Sequence, residues 1–135
     1  MTANRTVDAD RFAVALDAIF GSIDRTLSDE LDVPVEHACK AARNKAKSKL
    51  KKHHGVLTGK YKAGMAYKVD RTGRYESYGY VGNRKKPGLV HLLEKGHATM
   101  NGGRTRRIVH MEDGADEGKR VLVEEAEKLV DRALA

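Results

Sequence analysis

The chain has 135 residues and a net charge of +7; 40% of its residues are hydrophobic and 5% aromatic, with no tryptophan. This suits one domain with a modest core and leaves room for partners to add stability. No apolar run reaches the roughly 18 residues a membrane-spanning helix needs, and the opening MTANRTVDAD lacks the apolar centre of a secretory signal, so neither a membrane span nor export by that route is expected.

Residues 1–8 are expected to be disordered. Beyond them Phe12, Leu16, Ile19, Ile23, Leu27 and Leu31 recur every three or four positions, as one face of a helix does. Pro34 removes an amide donor and crowds the turn before it. Either one helix ends near Leu31 and a second begins at Pro34, or a single long helix kinks there. The next stripe, Val35, Ala38, Ala42, Ala46 and Leu50, is mostly alanine. It permits close approach of another backbone but buries little area. Lysines surround it, with stems that can cover apolar surface while their heads stay wet. His53-His54-Gly55 predicts the helix end. Cys39 is the single cysteine, so it has no internal disulfide partner and is expected as a small buried residue.

Residues 56–60 read as a linker turning at Gly59. Residues 61–70 and 75–81 fit two strands joined by the turn Arg71-Thr72-Gly73-Arg74. Residues 82–88, GNRKKPG, form a basic loop. Residues 89–95 are expected as a short helix ended by Gly96, with Leu89, Leu92 and Leu93 on one face. Residues 104–111 fit a final strand or an extended segment. Asp113, with Asp116 three positions on, is the expected cap of a last helix running to about Ala133. Leu122, Ala126, Leu129 and Ala133 would face inward. This order predicts a single α+β domain over residues 1–135. It comprises a long N-terminal helix, a small antiparallel sheet covered on one face, a short helix and a C-terminal helix.

Charge is distributed unevenly. Residues 1–36 carry three basic and eight acidic side chains, residues 37–86 carry fifteen and two, and residues 87–135 carry eight and nine. A polarised surface of this kind can steer a partner, bind nucleic acid or dock on the acidic end of another copy. The basic residues include Lys40, Arg43, Lys45, Lys47, Lys49, Lys51 and Lys52, with Arg84, Lys85 and Lys86 in the loop. Tyr75, Tyr78 and Tyr80 could stack bases, yet no recognition helix or RNA-binding signature accompanies them. A solvated basic helix explains much of the tract, and a basic DNA-binding accessory protein stands as the alternative functional reading.

The segment HLLEKGHATMNGGR, residues 91–104, holds the densest pattern. His91, Glu94 and His97 are spaced by three, and His110 follows. Gly96 interrupts the helix, the order is not that of a zinc-protease motif, and no cysteine pair is present, so no metal is expected. The expectation is His91 partly buried, His97 bonded to loop backbone, and His53-His54 at a helix end. Ser22, Ser28, Ser48 and Ser77 assemble no nucleophilic triad, and Glu124 and Glu125 read as helix surface. The LTGK stretch at 57–60 lacks the strand and leading glycine of a phosphate loop. No enzyme activity and no cofactor are expected. An assembly role draws on the thin core, the alanine stripe, the split charge and the flexible loop Asn101-Gly102-Gly103-Arg104. Subunits with charge split in this way can join head to tail.

These residues resemble a family of tail-completion, or head–tail joining, proteins of long-tailed bacteriophages and prophages. Its members show a charged N-terminal helix, a TGKY-like linker, a basic β region, a segment like HLLExGHxxxNGGR, a histidine-bearing extended piece and a C-terminal helix. Here these are Leu57-Thr58-Gly59-Lys60-Tyr61, His91 to His97, Asn101 to Arg104, and His110. The likeness covers roughly residues 10–133. After the last histidine, relatives often carry alanine and proline, whereas this chain has His110-Met111-Glu112-Asp113-Gly114-Ala115, without proline.

The resemblance implies a non-enzymatic virion component at the head–tail interface, in host cytoplasm before assembly. Expected partners are other copies in a ring, commonly six-fold, and the head–tail adaptor and tail tube proteins. DNA would pass nearby without a tight grip. By the same resemblance Glu94, Gly96 and His97 shape a structural turn, and Asn101, Gly102, Gly103 and Arg104 form the tip of a loop that meets a partner.

Overall fold

A computed structural model describes residues 9–50 and 59–135. The expectations for residues 1–8, the helix end at His53-His54-Gly55, most of the 56–60 linker, and Lys51 and Lys52 fall outside the described residues. The fold is α+β: α1 (Ala9–Glu30), α2 (Asp32–Ser48), α3 (Lys60–Gly64), β1 (Met65–Gly73), β2 (Glu76–Asn83), α4 (Leu89–Lys95) and α5 (Met111–Leu134). No described helix is long and apolar enough to cross a membrane.

Both readings of Pro34 contain part of the answer. Leu31 separates α1 from α2, yet its own backbone stays helical at φ −59° and ψ −33°. Pro34 lies in the first turn of α2, where a missing amide costs least. A continuous helix would need that amide to reach the carbonyl of Glu30, and the ladder breaks there. Helix α2 ends at Ser48.

The alanine stripe is used inside the subunit. Ala38, Ala42 and Ala46 are buried against α5, where Gly114 and Gly118 face them. A Cβ on Gly114 would stand 2.7 Å from the Ala42 carbonyl, and one on Gly118 would stand 3.0 Å from the Ala42 Cβ. Glycines four apart on one helix against alanines four apart on the other let the backbones approach closely. Leu129 and Ala133 are buried as expected; Leu122 is exposed, because the inward stripe runs through Gly114, Gly118 and Leu129.

The strand expected over residues 61–70 begins instead as α3, and β1 starts at Met65. Antiparallel pairing runs from Met65–Asn83 to Gly73–Glu76, with an irregularity between Arg71 and Gly73. One face of this two-stranded ribbon lies on α2. Gly79 is needed there, because a Cβ would collide with the Cys39 Sγ. Cys39 is buried, as the sequence predicts. The other face leaves Tyr78 and Tyr80 exposed. At the hairpin tip Arg71 donates to the Ser28 carbonyl at 2.5 Å and pairs with Asp32 at 3.1 Å, and Arg74 pairs with Asp24. The main core cluster, Ala46, Leu50, Tyr61, Met65 and Ile108, sits at the opposite end of the hairpin.

Candidate functional site

Glu94 stands in the last turn of α4 and belongs by its contacts to α5. Helix α5 begins at Met111 with no capping side chain of its own. Its first amides need an acceptor. Glu94 supplies both oxygens: Oε1 accepts from the His110 and Met111 amides at 2.9 Å each, and Oε2 from Glu112 at 3.0 Å. This is an N-cap delivered from sixteen to eighteen residues upstream, and its charge sits at the positive end of the helix dipole. Burial pushes the Glu94 carboxyl up, but the three amide bonds and the attraction of His110 outweigh it and hold the group below its ordinary value of 4.5. Asp113 does not cap α5. It lies inside the first turn and pairs with Lys49 at 3.6 Å.

His110 is fully buried. Its Nδ1 lies 2.8 Å from the Ile108 carbonyl and 3.0 Å from Glu94 Oε1. Both neighbours only accept, so Nδ1 carries the proton. In the neutral ring Nε2 then accepts from the Tyr61 hydroxyl at 2.7 Å. Burial, and then the charge of Glu94, pushes the Tyr61 phenol up to about 12. The Tyr61 carbonyl accepts from Asn83 Nδ2 at 2.5 Å, while Asn83 Oδ1 accepts from the amides of Lys85 and Lys86 at 3.1 and 2.8 Å. One buried polar chain thus ties the end of β2, α3, α4 and the start of α5. Gly64 makes room for it: a Cβ there would collide with Asn83 Oδ1. Tyr61 and Asn83 carry no local pattern that marks them for this role.

The motif continues as a small projection. Gly96 ends α4 at φ +70°, and a Cβ on it would meet the Thr105 carbonyl at 2.6 Å. The Thr105 amide donates to the His97 carbonyl at 2.8 Å, and the His97 amide to the Thr105 hydroxyl at 2.9 Å. His97 Nδ1 stands 3.1 Å from the same hydroxyl. Further out the Thr99 amide donates to the Gly103 carbonyl at 2.8 Å, and Gly102 closes the turn onto the Thr99 carbonyl at 3.2 Å with φ +82°. Met100 and Asn101 occupy the tip, and the Met100 side chain is wholly exposed. Gly103 and Arg104 descend the return limb. Arg104 is not the tip residue: its guanidinium reaches back 3.3 Å to the Gly96 carbonyl. Residues 104–111, expected as a strand or an extended segment, form no strand: they make one bridge, Ala98 with Arg104, and are held by the Ile108 amide to the Leu93 carbonyl at 2.7 Å before α5 begins at Met111.

His91 is exposed on α4, contrary to the expected partial burial. His97 sits in the projection and His110 in the interior, so the three histidines do not converge. No group of three potential metal ligands occurs among the described residues.

The basic tract divides around α2. Lys45 and Lys49 flank α5, where Lys49 pairs with Asp113 and Lys45 acts on Glu117. At 100° per residue, Lys40, Arg43 and Lys47 stand on the side turned from that interface. Arg43 lies over the Tyr67 ring, 4.9 Å from its centre. Arg43, Arg84 and Lys85 line a groove at the base of the hairpin together with Ala63, Ala66 and Tyr67. Lys86 is exposed beside it.

No family model, curated protein or solved structure matches this chain.

Proposed function

We propose that this chain is a structural component of the head–tail joint of a long-tailed bacteriophage, acting through contacts with other virion proteins and with copies of itself. The observation that carries the reading is the use to which HLLEKGHATMNGGR is put. Glu94 is committed to three backbone amides, Gly96 to a left-handed break, and Asn101 and Gly102 to a projecting turn. Those are the residues through which the segment resembles the tail-completion family. Each has a mechanical task, and none is aimed into a cleft with a base or nucleophile. A rigid projection carrying an apolar tip, Met100, on a capped two-helix platform suits insertion against a neighbouring subunit.

The test is genetic. Removing this chain from a particle-producing strain should leave filled heads and complete tails unjoined, and supplying it in trans should restore joining. Joined, infectious particles in its absence would end the proposal. A second reading rests on the outward face of the hairpin, where Tyr78 and Tyr80 are exposed and Lys68 stands across from Tyr80. Aromatic and basic groups together are what a nucleic-acid surface uses. Tight, sequence-dependent retardation of duplex DNA at physiological salt would favour that reading over assembly.

A further inference from the structure

The apolar stripe of α1 is longer than the body that covers it. Phe12, Leu16, Ile19, Phe20, Ile23 and Leu27 fall within about 100° of the helix circumference. Ile23 and Leu27 are half-buried where α1 meets the body, yet every residue from 9 to 20 is exposed. Phe12 and Phe20 are each 57% exposed and Ile19 56%. The geometry explains the overhang. Helix α5 runs antiparallel to α2, with Gly118 at Ala42 and Arg132 reaching Glu30 at 3.7 Å, and it ends there. The first half of α1 continues past that end as an arm about 18 Å long at 1.5 Å per residue. Asp10, Asp17 and Asp24 recur every seven positions beside the stripe. Asp24 is paired with Arg74, while Asp10 and Asp17 form no ion pair among the described residues. The arm is an apolar band with an acidic border.

At the far end of the same body lies a surface of the opposite kind. The groove at the hairpin base is basic and mostly polar: Arg43, Arg84 and Lys85 line it, with Ala63, Ala66 and Tyr67 beside them. The arm of a given subunit cannot fill its own groove. Its root is fastened at the hairpin tip by Arg71 to Ser28 and Arg74 to Asp24, whereas the groove lies at the opposite end of β1.

We propose that the N-terminal half of α1 docks into the Arg43–Arg84–Lys85 groove of a second copy of this chain. Asp10 and Asp17 meet Arg43, Arg84 and Lys85, and Phe12, Leu16, Ile19 and Phe20 lie across the groove over Ala63 and Ala66. Donor and acceptor are different surfaces at opposite ends of the subunit, so the contact is heterologous and propagates head to tail into a ring or an open chain. The inference rests on reading the chain as an assembly component, and it names the partner and the residues.

The test uses two full-length variants, each checked for unchanged helical circular dichroism. Phe12→Glu/Phe20→Glu removes the arm's apolar band; Arg84→Glu/Lys85→Glu reverses the groove's charge. By analytical ultracentrifugation the wild type should self-associate, more weakly as salt rises. Each variant alone should lose self-association. An equimolar mixture should recover one interface and stop at dimers, because each variant keeps the surface the other lacks. A wild type that stays monomeric at its solubility limit, or variants that assemble as it does, would overturn the contact. A groove variant that assembles normally while the arm variant does not would show the arm pairing elsewhere. This outcome is separable from that of the preceding proposal. Failure of mixing with the chain still needed for tail joining sinks the contact alone. Successful mixing with tail joining intact in the chain's absence sinks the functional reading alone.

Discussion

Replacing Glu94 by alanine tests the buried cap directly. Three backbone amides lose their acceptor, and they differ in what can replace it. Glu112 is exposed, so water can take over. His110 is fully buried and Met111 half-buried, and their amides are left without a partner in the interior. Leaving a buried donor unpaired costs about 1–3 kcal/mol. Taking the lower half of that range for two donors, and adding about 1 kcal/mol for the lost charge at the helix N-terminus, gives about 3–5 kcal/mol. That is a large part of the roughly 5–15 kcal/mol that holds a typical domain folded. Glu94→Gln keeps one acceptor oxygen and should cost less, about 1–2 kcal/mol. The control is Asp113→Ala, which removes a surface pair with Lys49 and should stay within about 0.5 kcal/mol. Urea unfolding of the three variants measures all of this. A Glu94→Ala cost below about 1 kcal/mol, or an Asp113→Ala cost above it, would refute the long-range cap.

The pH dependence follows from the same group. Folding depresses the Glu94 carboxyl below 4.5, so the unfolded chain binds more protons in that region and stability falls as pH drops through and below 4.5. Glu94→Gln should flatten the acid limb of a stability–pH curve, and an unchanged limb would count against the assignment. At the alkaline end, one tyrosine should ionise only near about 12, and Tyr61→Phe should abolish that late step in an ultraviolet titration. The glycines rank by geometry. Gly96→Ala meets the Thr105 carbonyl at φ +70° and should cost about 2 kcal/mol or more, whereas Gly102→Ala, at φ +82° in open space, should cost about 1 kcal/mol. Gly114→Val would drive branched carbons into the Ala42 carbonyl and separate α2 from α5. Its cost should exceed about 3 kcal/mol, against near-neutrality for Gly103→Ala, and thermal melts would reveal a reversed order.

The parts of the fold legible in the sequence are those written in short-range periodicity. The alanine stripe, the short helix ended by Gly96, the hairpin and the last helix all follow from residues three or four apart or from a turn. The stripe's partner was less visible. Gly114 and Gly118 face Ala38, Ala42 and Ala46 across α2 and α5, and their four-residue spacing was the available signal. The α5 cap was not legible, because local rules point to Asp113, whereas the acceptor comes from Glu94 on another element. The chain's route from Gly96 to His110 brings it there, and that route is set by tertiary hydrogen bonds rather than by any period. Strand β1 starts later than the sequence pattern predicts for a related reason. Tyr61 has the composition of a strand residue, but its buried hydroxyl is held by His110, and the backbone around it closes as a helical turn. Arg104 reads as a tip residue from its neighbours alone, and the return limb of the turn carries it back to Gly96 instead.

A side-chain-resolution electron cryomicroscopy map of the assembled capsid–tail joint, from a particle that encodes this chain, tests its role there most directly. In that map the α2–α5 platform should repeat around the channel, with Met100 and Asn101 seated against a neighbouring protein. A map in which the joint is complete without this chain, or in which that turn faces only solvent, would contradict that role.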